Sequence, residues 1–400
     1  MQRARGFTLT ELLVALVISS LAAIAIYGAF TSLSSVSTQT RAQGNAWQQA
    51  RTALAIMSEA IEGAGYGLPV NECGNGIEIG IPPTQSAANG ASAVPPIAGT
   101  TSGAAAALVT PVAATAQTVS GYGYDPTAMA GGFDAGVHTD VLTVVTGGGQ
   151  YGTAPVAQIT SVPSTSAATF FVTPNAILQP GDMTLVTLPG STCLLGQVTL
   201  FRSNDHVIEN SGKGANTSAY NAPGGFAAAN PAVTAAELMN AGVIDLGTQH
   251  FVIDTFFIAD QHGQGVPSLY MQQFDAADGP GGSAPQPQLL ARGVVDMRVQ
   301  FGYGTYGTIT QYGAPGTGPA ADVLAVRLEL LVRDTRTSPG TVADGPGGVP
   351  AIALMGGAYY DVPTKLAKGV ATGCVAGDCA HYLYHVFDLV IPVRNDIWNQ

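Results

Sequence analysis

The sequence predicts an α+β protein in which one long N-terminal helix packs on a mainly antiparallel β-sheet head with long loops. Two observations predict the helix. The segment from Phe7 to Phe30 contains a single charged residue, and no proline occurs between Phe7 and Leu68. A third observation predicts the sheet: several segments in the C-terminal half alternate apolar and polar residues with a period of two.

The apolar segment is long enough to cross a membrane. A helix over residues 7–30 is about 36 Å long, and the hydrocarbon core of a bilayer is about 30 Å thick. Arg3 and Arg5 precede this segment, and no acidic residue accompanies them. By the positive-inside rule, the first six residues stay on the cytoplasmic side and the chain after Phe30 lies on the other side.

Three interpretations of this segment are open. One is a cleaved secretory signal, with residues 23–25 as an A-x-A cleavage site. Another is a plain, uncleaved membrane anchor. Neither explains Glu11, because a carboxylate at mid-bilayer costs about 2.5 to 3.5 kcal/mol and therefore requires a partner.

The third interpretation accounts for the carboxylate. The apolar segment begins with the string Gly6-Phe7-Thr8-Leu9-Thr10-Glu11-Leu12-Leu13-Val14-Ala15-Leu16. This string resembles the type IV prepilin signal. The resemblance implies that a prepilin peptidase cleaves after Gly6 and that the new amino terminus, Phe7, is methylated. It also implies that Glu11 pairs with this terminal amine, within one helix or between neighbours, as subunits enter a filament.

The helix is predicted to continue to residue 62. Apolar or small residues recur at alternating steps of three and four, which predicts one contact face. The face consists of Leu33, Val36, Thr40, Trp47, Ala50, Leu54, Met57 and Ile61. We expect this face to lie on the chain's own head; a coiled coil is the alternative. Glycines at 63, 65 and 67 predict the end of the helix. The predicted organisation is a leader at 1–6, a helix at 7–62 with its membrane segment at 7–30, and a head at 63–400.

The predicted head contains one mainly antiparallel sheet, whose apolar face would cover the helix. Its strands are predicted at 251–258, 268–272, 295–301, 326–333 and 387–393, and residues 140–145 are predicted as a further short buried strand. Pro392 predicts that the last strand lies at an edge, because proline cannot donate to a ladder on both sides. Residues 79–124 contain no charge and are mostly Ala, Gly, Ser, Thr and Pro. We interpret them as a long, low-complexity surface insertion with at most sparse strand pairing.

The resemblance then narrows to one family. The segments that carry it are residues 63–67, 139–143, 257–259, 267–270, 290–302, 326–333 and 386–395, ending in Val386-Phe387-Asp388-Leu389-Val390-Ile391-Pro392-Val393-Arg394-Asn395. In this order they resemble PilW-type minor pilins. The chain departs from the family pattern in two places: its first cysteine is Cys73, whereas family members often carry one just after the segment matching 63–67, and it has the uncharged insertion.

The family resemblance implies a role and a location. The chain would be a minor subunit that primes assembly of a type IV pilus, first in the inner membrane with a periplasmic head and then at or near the pilus tip. Its partners would be the prepilin peptidase, other minor pilins, the major pilin and a PilY-type tip adhesin. Two alternatives remain open: a J-type minor pseudopilin of a type II secretion system, and a pilus-borne adhesin or binding module.

Four cysteines suit an oxidising compartment, and they allow three pairings. Cys374 and Cys379 flank a short turn, so we predict that they pair and that Cys73 pairs with Cys193. A zinc site is the alternative, because His381 and His385 follow Cys379. If those histidines lie on a strand they are about 13 Å apart, too far for one ion.

Composition and motifs exclude other classes of function. The net charge is −12, with 14 basic and 26 acidic residues, so no basic surface is expected for nucleic acid. The sequence contains no H-E-x-x-H, G-x-S-x-G or G-x-x-x-x-G-K-[ST] motif. We therefore expect no enzymatic activity, no cofactor and no metal.

Overall fold

The computed structural model shows a long helix and a β-rich head. It describes residues 9–68, 77–79, 107–109, 112–116, 139–147, 154–162, 169–173, 177–188, 193–201, 206–208, 221, 233–248, 251–259, 267–275, 287–305, 307–314, 317, 323–337, 341–345, 350–357, 359–362 and 379–393. The helices are α1 (Leu9–Glu62) and the single turn α2 (Ala235–Leu238). The strands are β1 (Ile77–Ile79), β2 (Ala107–Val109), β3 (Val112–Ala116), β4 (Asp140–Thr146), β5 (Ala157–Ser161), β6 (Thr169–Thr173), β7 (Met183–Thr187), β8 (Cys193–Gln197), β9 (Leu200–Phe201), β10 (His206–Ile208), β11 (Gly242–Gly247), β12 (Val252–Ala259), β13 (Ser268–Asp275), β14 (Gln288–Arg292), β15 (Val294–Thr305), β16 (Thr308–Gly313), β17 (Val323–Thr337), β18 (Ala351–Ala353), β19 (Tyr359–Asp361) and β20 (Tyr382–Pro392).

Helix α1 ends at Glu62, as predicted, and only its last third touches the head. Its buried side chains recur at steps of three and four, and they are Ala50, Ala53, Leu54, Met57 and Ile61. The first part of the predicted contact face does not pack on the head: Leu33, Val36 and Thr40 are exposed. That part of the prediction was wrong because helical periodicity marks an apolar face without showing how far along the helix the head extends.

The helix ends in a turn that ties it to the first long strand. The Gly63 amide donates to the carbonyl of Glu59, and the Gly65 amide donates to the carbonyl of Val145 at 2.8 Å. Gly65 has φ of 72°, a conformation that only glycine adopts readily. The end of α1 is therefore bonded directly to β4.

Two antiparallel sheets form the core on which α1 lies. One has the order β14-β13-β12-β4-β3 and the other has the order β16-β15-β17-β20. The sequence predicted a single sheet here. The difference arises at Gly293, which stands alone between β14 and β15 at φ of 77° and turns the chain from the first sheet into the second. β20 is an edge strand, as Pro392 predicted.

A third, nine-stranded sheet was not predicted. Its order is β2-β1-β8-β7-β11-β5-β6-β10-β9, and it is antiparallel except for the parallel pair β1 and β8. It has its own buried cluster, which includes Ile159, Phe170 and Val243. All five residues of β7 and all five of β8 are buried, so these strands show no alternation in the sequence.

Two short strands of the uncharged insertion pair with other parts of the head. β2 pairs with β1 in the nine-stranded sheet, and β3 pairs with β4 in the five-stranded sheet. Within residues 79–124, the structure describes strand pairing at 107–109 and 112–116, beside residues 77–79 and 140–144. The remainder of the insertion lies outside the described residues.

Candidate assembly surface

The first half of α1 is apolar on every face and is exposed along its whole length. Leu9–Ser34 is the one helix among the described residues that is long and apolar enough to cross a membrane, and none of it is buried against the head. At about 1.5 Å per residue it is about 39 Å long. The predicted membrane segment ended at Phe30, so the observed apolar helix runs four residues further. A helix that is apolar all round requires lipid or other helices around it.

Polar side chains within this helix bond to its own backbone. The hydroxyl of Ser19 donates to the carbonyl of Leu16 at 3.0 Å, and that of Thr31 donates to the carbonyl of Gly28 at 2.9 Å. These hydroxyls are therefore satisfied without water, as an apolar environment demands.

The predicted processing and assembly residues fall at the start of this helix. Glu11 lies in the first described turn of α1, on the exposed surface. Gly6 and Phe7 lie outside the described residues, so cleavage after Gly6 and methylation of Phe7 stay predictions, as does the pairing of Glu11 with the amino terminus.

An aromatic contact marks the point where α1 meets the head. The ring of Trp47 packs edge-on against Phe387 of β20, with ring centroids 5.0 Å apart, and lies 6.2 Å from the ring of His385. The Arg51 guanidinium covers the same indole at 5.4 Å. Sequence reasoning placed Trp47 on the contact face but did not find its partner, because the contact joins residues 340 positions apart.

A polar contact adds a second attachment on the helix. The Gln49 side-chain oxygen accepts a hydrogen bond from the amide of Arg292 at 3.1 Å, at the end of β14. Trp47 therefore contacts the four-stranded sheet while Gln49 contacts the five-stranded sheet. The helix holds the two sheets together from one side.

A polar junction joins the same two sheets within the head. The Thr139 hydroxyl accepts from the amide of Met297 at 3.0 Å, and the Asp140 carboxylate accepts from the amide of Val299 at 2.8 Å. Burial raises the pKa of Asp140 to about 7, partly offset by the bond from Val299. The junction therefore holds a carboxyl group that titrates near neutral pH.

A buried ion pair lies beside Asp140. Asp296 and Arg298, both on β15, are 2.9 Å apart, and burial raises the pKa of Asp296 in spite of the nearby guanidinium. The second carboxylate oxygen of Asp296 is buried and has no hydrogen-bond partner in the described part of the chain. Alternation on a strand gave no signal for this junction, because Asp296 was expected on a solvent-facing side.

The structure describes two of the four cysteines. Cys193 and Cys379 are fully buried, and neither is a free thiol. Cys193 is aligned with Ile77 across the parallel pair of β8 and β1. Cys73 and Cys374 lie outside the described residues, so the pairing stays a prediction.

The zinc alternative gains no support from the described residues. Three or more metal-ligating side chains do not cluster anywhere in them. His381 is exposed just before β20, whereas His385 lies within that strand against Trp47. The Cys379 sulfur accepts a bond from the guanidinium of Arg333 at 3.3 Å.

The chain is similar to known proteins over parts of its length. No curated protein matches the chain. Among solved structures, a type IV-like pilin from Thermus thermophilus matches at 16% sequence identity and a TM-score of 0.21, covering 36% of this chain and 68% of that one.

Two family models match separate parts of the chain. The model of the prokaryotic N-terminal methylation motif matches residues 1–27, which include the start of the exposed apolar helix. The model of type IV pilus-assembly protein W matches residues 255–395, which run from β12 to β20 and contain most of the strands on which α1 lies. The nine-stranded sheet falls between the two matches. The chain is therefore similar to type IV pilins at its N-terminal methylation motif and to the PilW family over its C-terminal strands.

Proposed function

We propose that the chain is a minor pilin that primes assembly of a type IV pilus and is incorporated at or near the pilus tip. In this proposal the prepilin peptidase cleaves between Gly6 and Phe7, and Phe7 is methylated. The helix holds the chain in the inner membrane until the subunit enters the filament. The head acts as a structural and binding element, with no catalytic role.

One observation carries this proposal: α1 is divided into two environments. From Ala50 to Ile61 its apolar face is buried in the head, whereas from Leu9 to Val36 its large apolar side chains are exposed all round. Apolar surface is worth roughly 25 cal/mol per Å² when removed from water. The exposed half is therefore stable only in a bilayer or among other apolar helices, the two environments that a pilin occupies in turn.

The charge distribution supports the orientation and the absence of a nucleic-acid partner. Arg3 and Arg5 favour a cytoplasmic leader and a periplasmic head. Cleavage after Gly6 removes both arginines, which leaves 12 basic residues against 26 acidic ones. A mature chain of that charge repels a phosphate backbone.

The proposed partners follow from the family. They are the prepilin peptidase, the other minor pilins, the major pilin and a PilY-type tip adhesin. A tip position is supported by the size of the head, since the nine-stranded sheet adds a separately cored layer that lies outside both family matches. A subunit at the tip has no other subunit above it, so this additional sheet would not obstruct packing there.

The test is a substitution that removes the negative charge of Glu11. We expect Glu11→Val to be cleaved and methylated normally, as read by mass spectrometry of the mature N-terminus, but to abolish complementation of piliation in a deletion strain. Glu11→Asp, which keeps the charge, is the control and should restore piliation at least in part.

Three outcomes would contradict the proposal. Normal piliation with Glu11→Val would remove the assembly role. Loss of protein secretion with intact piliation in the deletion strain would instead assign the chain to a type II secretion system. A mature N-terminus at Ile26, or an intact Met1, would exclude prepilin processing.

A further inference from the structure

The free edge of β20 is the strongest feature that the proposed function does not use. β20 pairs with β17 on one side only, and it ends the four-stranded sheet. It is 11 residues long, and Val386, Leu389 and Val390 are large apolar residues exposed on it. Among the described strands, no other carries three exposed large apolar side chains. A long, apolar, open edge is the usual site at which a further strand adds to a sheet.

The register shows which backbone groups face outward. The Val393 amide donates to the carbonyl of Leu324, which lies directly opposite it. In an antiparallel pair, bonded and non-bonded positions alternate along the strand. The N–H and C=O groups that point away from β17 therefore belong to Tyr384, Val386, Asp388 and Val390.

Pro392 supports this assignment independently. It falls at the next outward position, where the missing N–H removes no bond to β17. The four outward residues before it keep their amide groups, and the described residues provide no strand beyond them. Proline therefore terminates the free ladder at one end and leaves the middle open.

Charge does little to protect this edge. Asp388 is the one Asp, Glu, Lys or Arg residue within β20, and its carboxylate is paired with the Arg327 guanidinium. Natural edge strands are commonly blocked by unpaired charges or by prolines in their middle. Val386 and Val390, 43% and 46% exposed, flank the neutralised Asp388 instead.

The edge of β20 lies close to the point where α1 leaves the head. Phe387 of β20 contacts Trp47, which is itself 43% exposed and lies where α1 emerges from the head. β20 therefore lies beside the helix at the point where the helix emerges from the head. A subunit that covers the helix in the filament is within reach of the strand edge.

We propose that the outward edge of β20 accepts an extended segment of a neighbouring pilus subunit, which adds to the four-stranded sheet as a fifth strand. The added strand bonds to the backbone of Tyr384, Val386, Asp388 and Val390 and places alternate apolar side chains beside Val386 and Val390. This proposal rests on the proposed assembly role and names the surface that a partner subunit uses.

Photo-cross-linking in piliated cells tests the register. A photoreactive phenylalanine replaces Val386 in one full-length variant and Val390 in another, and cross-linked peptides from purified pili are identified by mass spectrometry. The two sites lie about 13 Å apart along the strand. We therefore expect both to label one continuous segment of another subunit, at residues about four apart.

Backbone substitutions supply the matched control. Val386→Pro removes one outward amide and places a ring against the added strand, whereas Val386→Thr keeps the amide and the side-chain shape. We expect the proline variant to lower cross-linking from position 390 by about tenfold, the effect of one lost hydrogen bond together with a clash. The threonine variant should lower it by no more than about twofold.

Hydrogen exchange of the full chain in detergent checks that the edge is open before assembly. The amides of Val386, Asp388 and Val390 should exchange faster than those of His385, Phe387 and Leu389. Equal protection, labelling of residues 394–400 of the same chain, labelling of a second copy, or scattered labelling would overturn the proposal. If the chain is found in pili without cross-links at β20, the strand-addition proposal fails alone; if the chain is absent from pili, the assembly role fails as well.

Discussion

Trp47 of the helix packs edge-on against Phe387 of the last strand, and the two ring centroids are 5.0 Å apart. This contact lies where the exposed part of α1 ends and the part that is docked on the head begins. It connects the membrane-crossing part of the chain to the strand that carries the free sheet edge. Edge-to-face aromatic pairs contribute about 0.5–1.5 kcal/mol beyond their buried area.

Replacing Trp47 should weaken the packing of α1 on the head at the point where the helix leaves it. We expect Trp47→Ala to lower the free energy of unfolding by about 1–2 kcal/mol, because the variant lacks the contacts with Phe387 and His385. The loss is limited because the Trp47 side chain is partly exposed in the native chain. Trp47→Phe keeps an aromatic edge and should cost less than half as much. Denaturant unfolding in detergent, followed by near-ultraviolet circular dichroism, measures both. Equal stability of the alanine variant and the native chain would contradict the contact.

The stability of the head should fall as the pH rises through neutrality. Burial raises the pKa of Asp140 to about 7 from 3.8, so the folded chain binds its proton more tightly than the unfolded chain does. The resulting stabilisation is complete below about pH 4 and is lost as the pH rises through about 7. The pKa of Asp182 is likewise raised by burial, to about 6, and acts in the same direction.

Asp140→Asn isolates this effect. The amide oxygen of asparagine can still accept the bond from Val299, but the side chain no longer titrates. Relative to the native chain, the variant should gain stability on the order of 1–3 kcal/mol between pH 5 and pH 8. Urea unfolding at several pH values measures the difference, and parallel pH profiles of the two proteins would contradict the raised pKa.

Gly293 should tolerate no side chain. Its φ is 77°, and a Cβ atom there would lie 2.5 Å from the carbonyl oxygen of Arg333. We expect Gly293→Ala to destabilise the head by at least about 1–3 kcal/mol. Gly44→Ala is the control, because a Cβ atom at Gly44 would meet nothing within 4 Å apart from its own helix backbone, and it should stabilise the helix by about 1 kcal/mol. Thermal unfolding of both variants decides; equal melting temperatures would refute the strain at Gly293.

The disulfide pairing can be read directly. We expect non-reducing peptide mapping of the mature protein to link Cys374 to Cys379 and Cys73 to Cys193. The second link is favoured by the alignment of Ile77 with Cys193, since Cys73 precedes Ile77 by four residues. A peptide joining Cys193 to either C-terminal cysteine would exclude this pairing.

Local patterns in the sequence predicted where α1 ends and where the strands of the four-stranded sheet lie. The end of α1 at Glu62 followed from three closely spaced glycines, and β15 and β17 followed from strict alternation of apolar and polar residues. The edge position of β20 followed from Pro392. In each case the signal lies within a few residues of the element that it specifies, because caps, pleats and missing amides act locally.

Long-range features left no such local signal. β7 and β8 are buried on both faces, so they show no alternation, and the nine-stranded sheet escaped prediction. Asp296 lies at a position that alternation marks as solvent-facing, but its side chain is buried and paired with Arg298. A pattern reports what a segment could bury, and the rest of the fold decides what covers it.

Composition and short-range periodicity predicted a prepilin-type N-terminus, an apolar helix long enough to cross a membrane and a β-rich head. They are the features that the chain shares with pilins. Three features became apparent only in the folded chain: α1 docks from Ala50 onward, Gly293 divides the strands into two sheets, and one edge of β20 is unpaired in the described residues. Those features depend on contacts between segments that are distant in the sequence. Burial and hydrogen bonding across the folded chain determine which segments make those contacts.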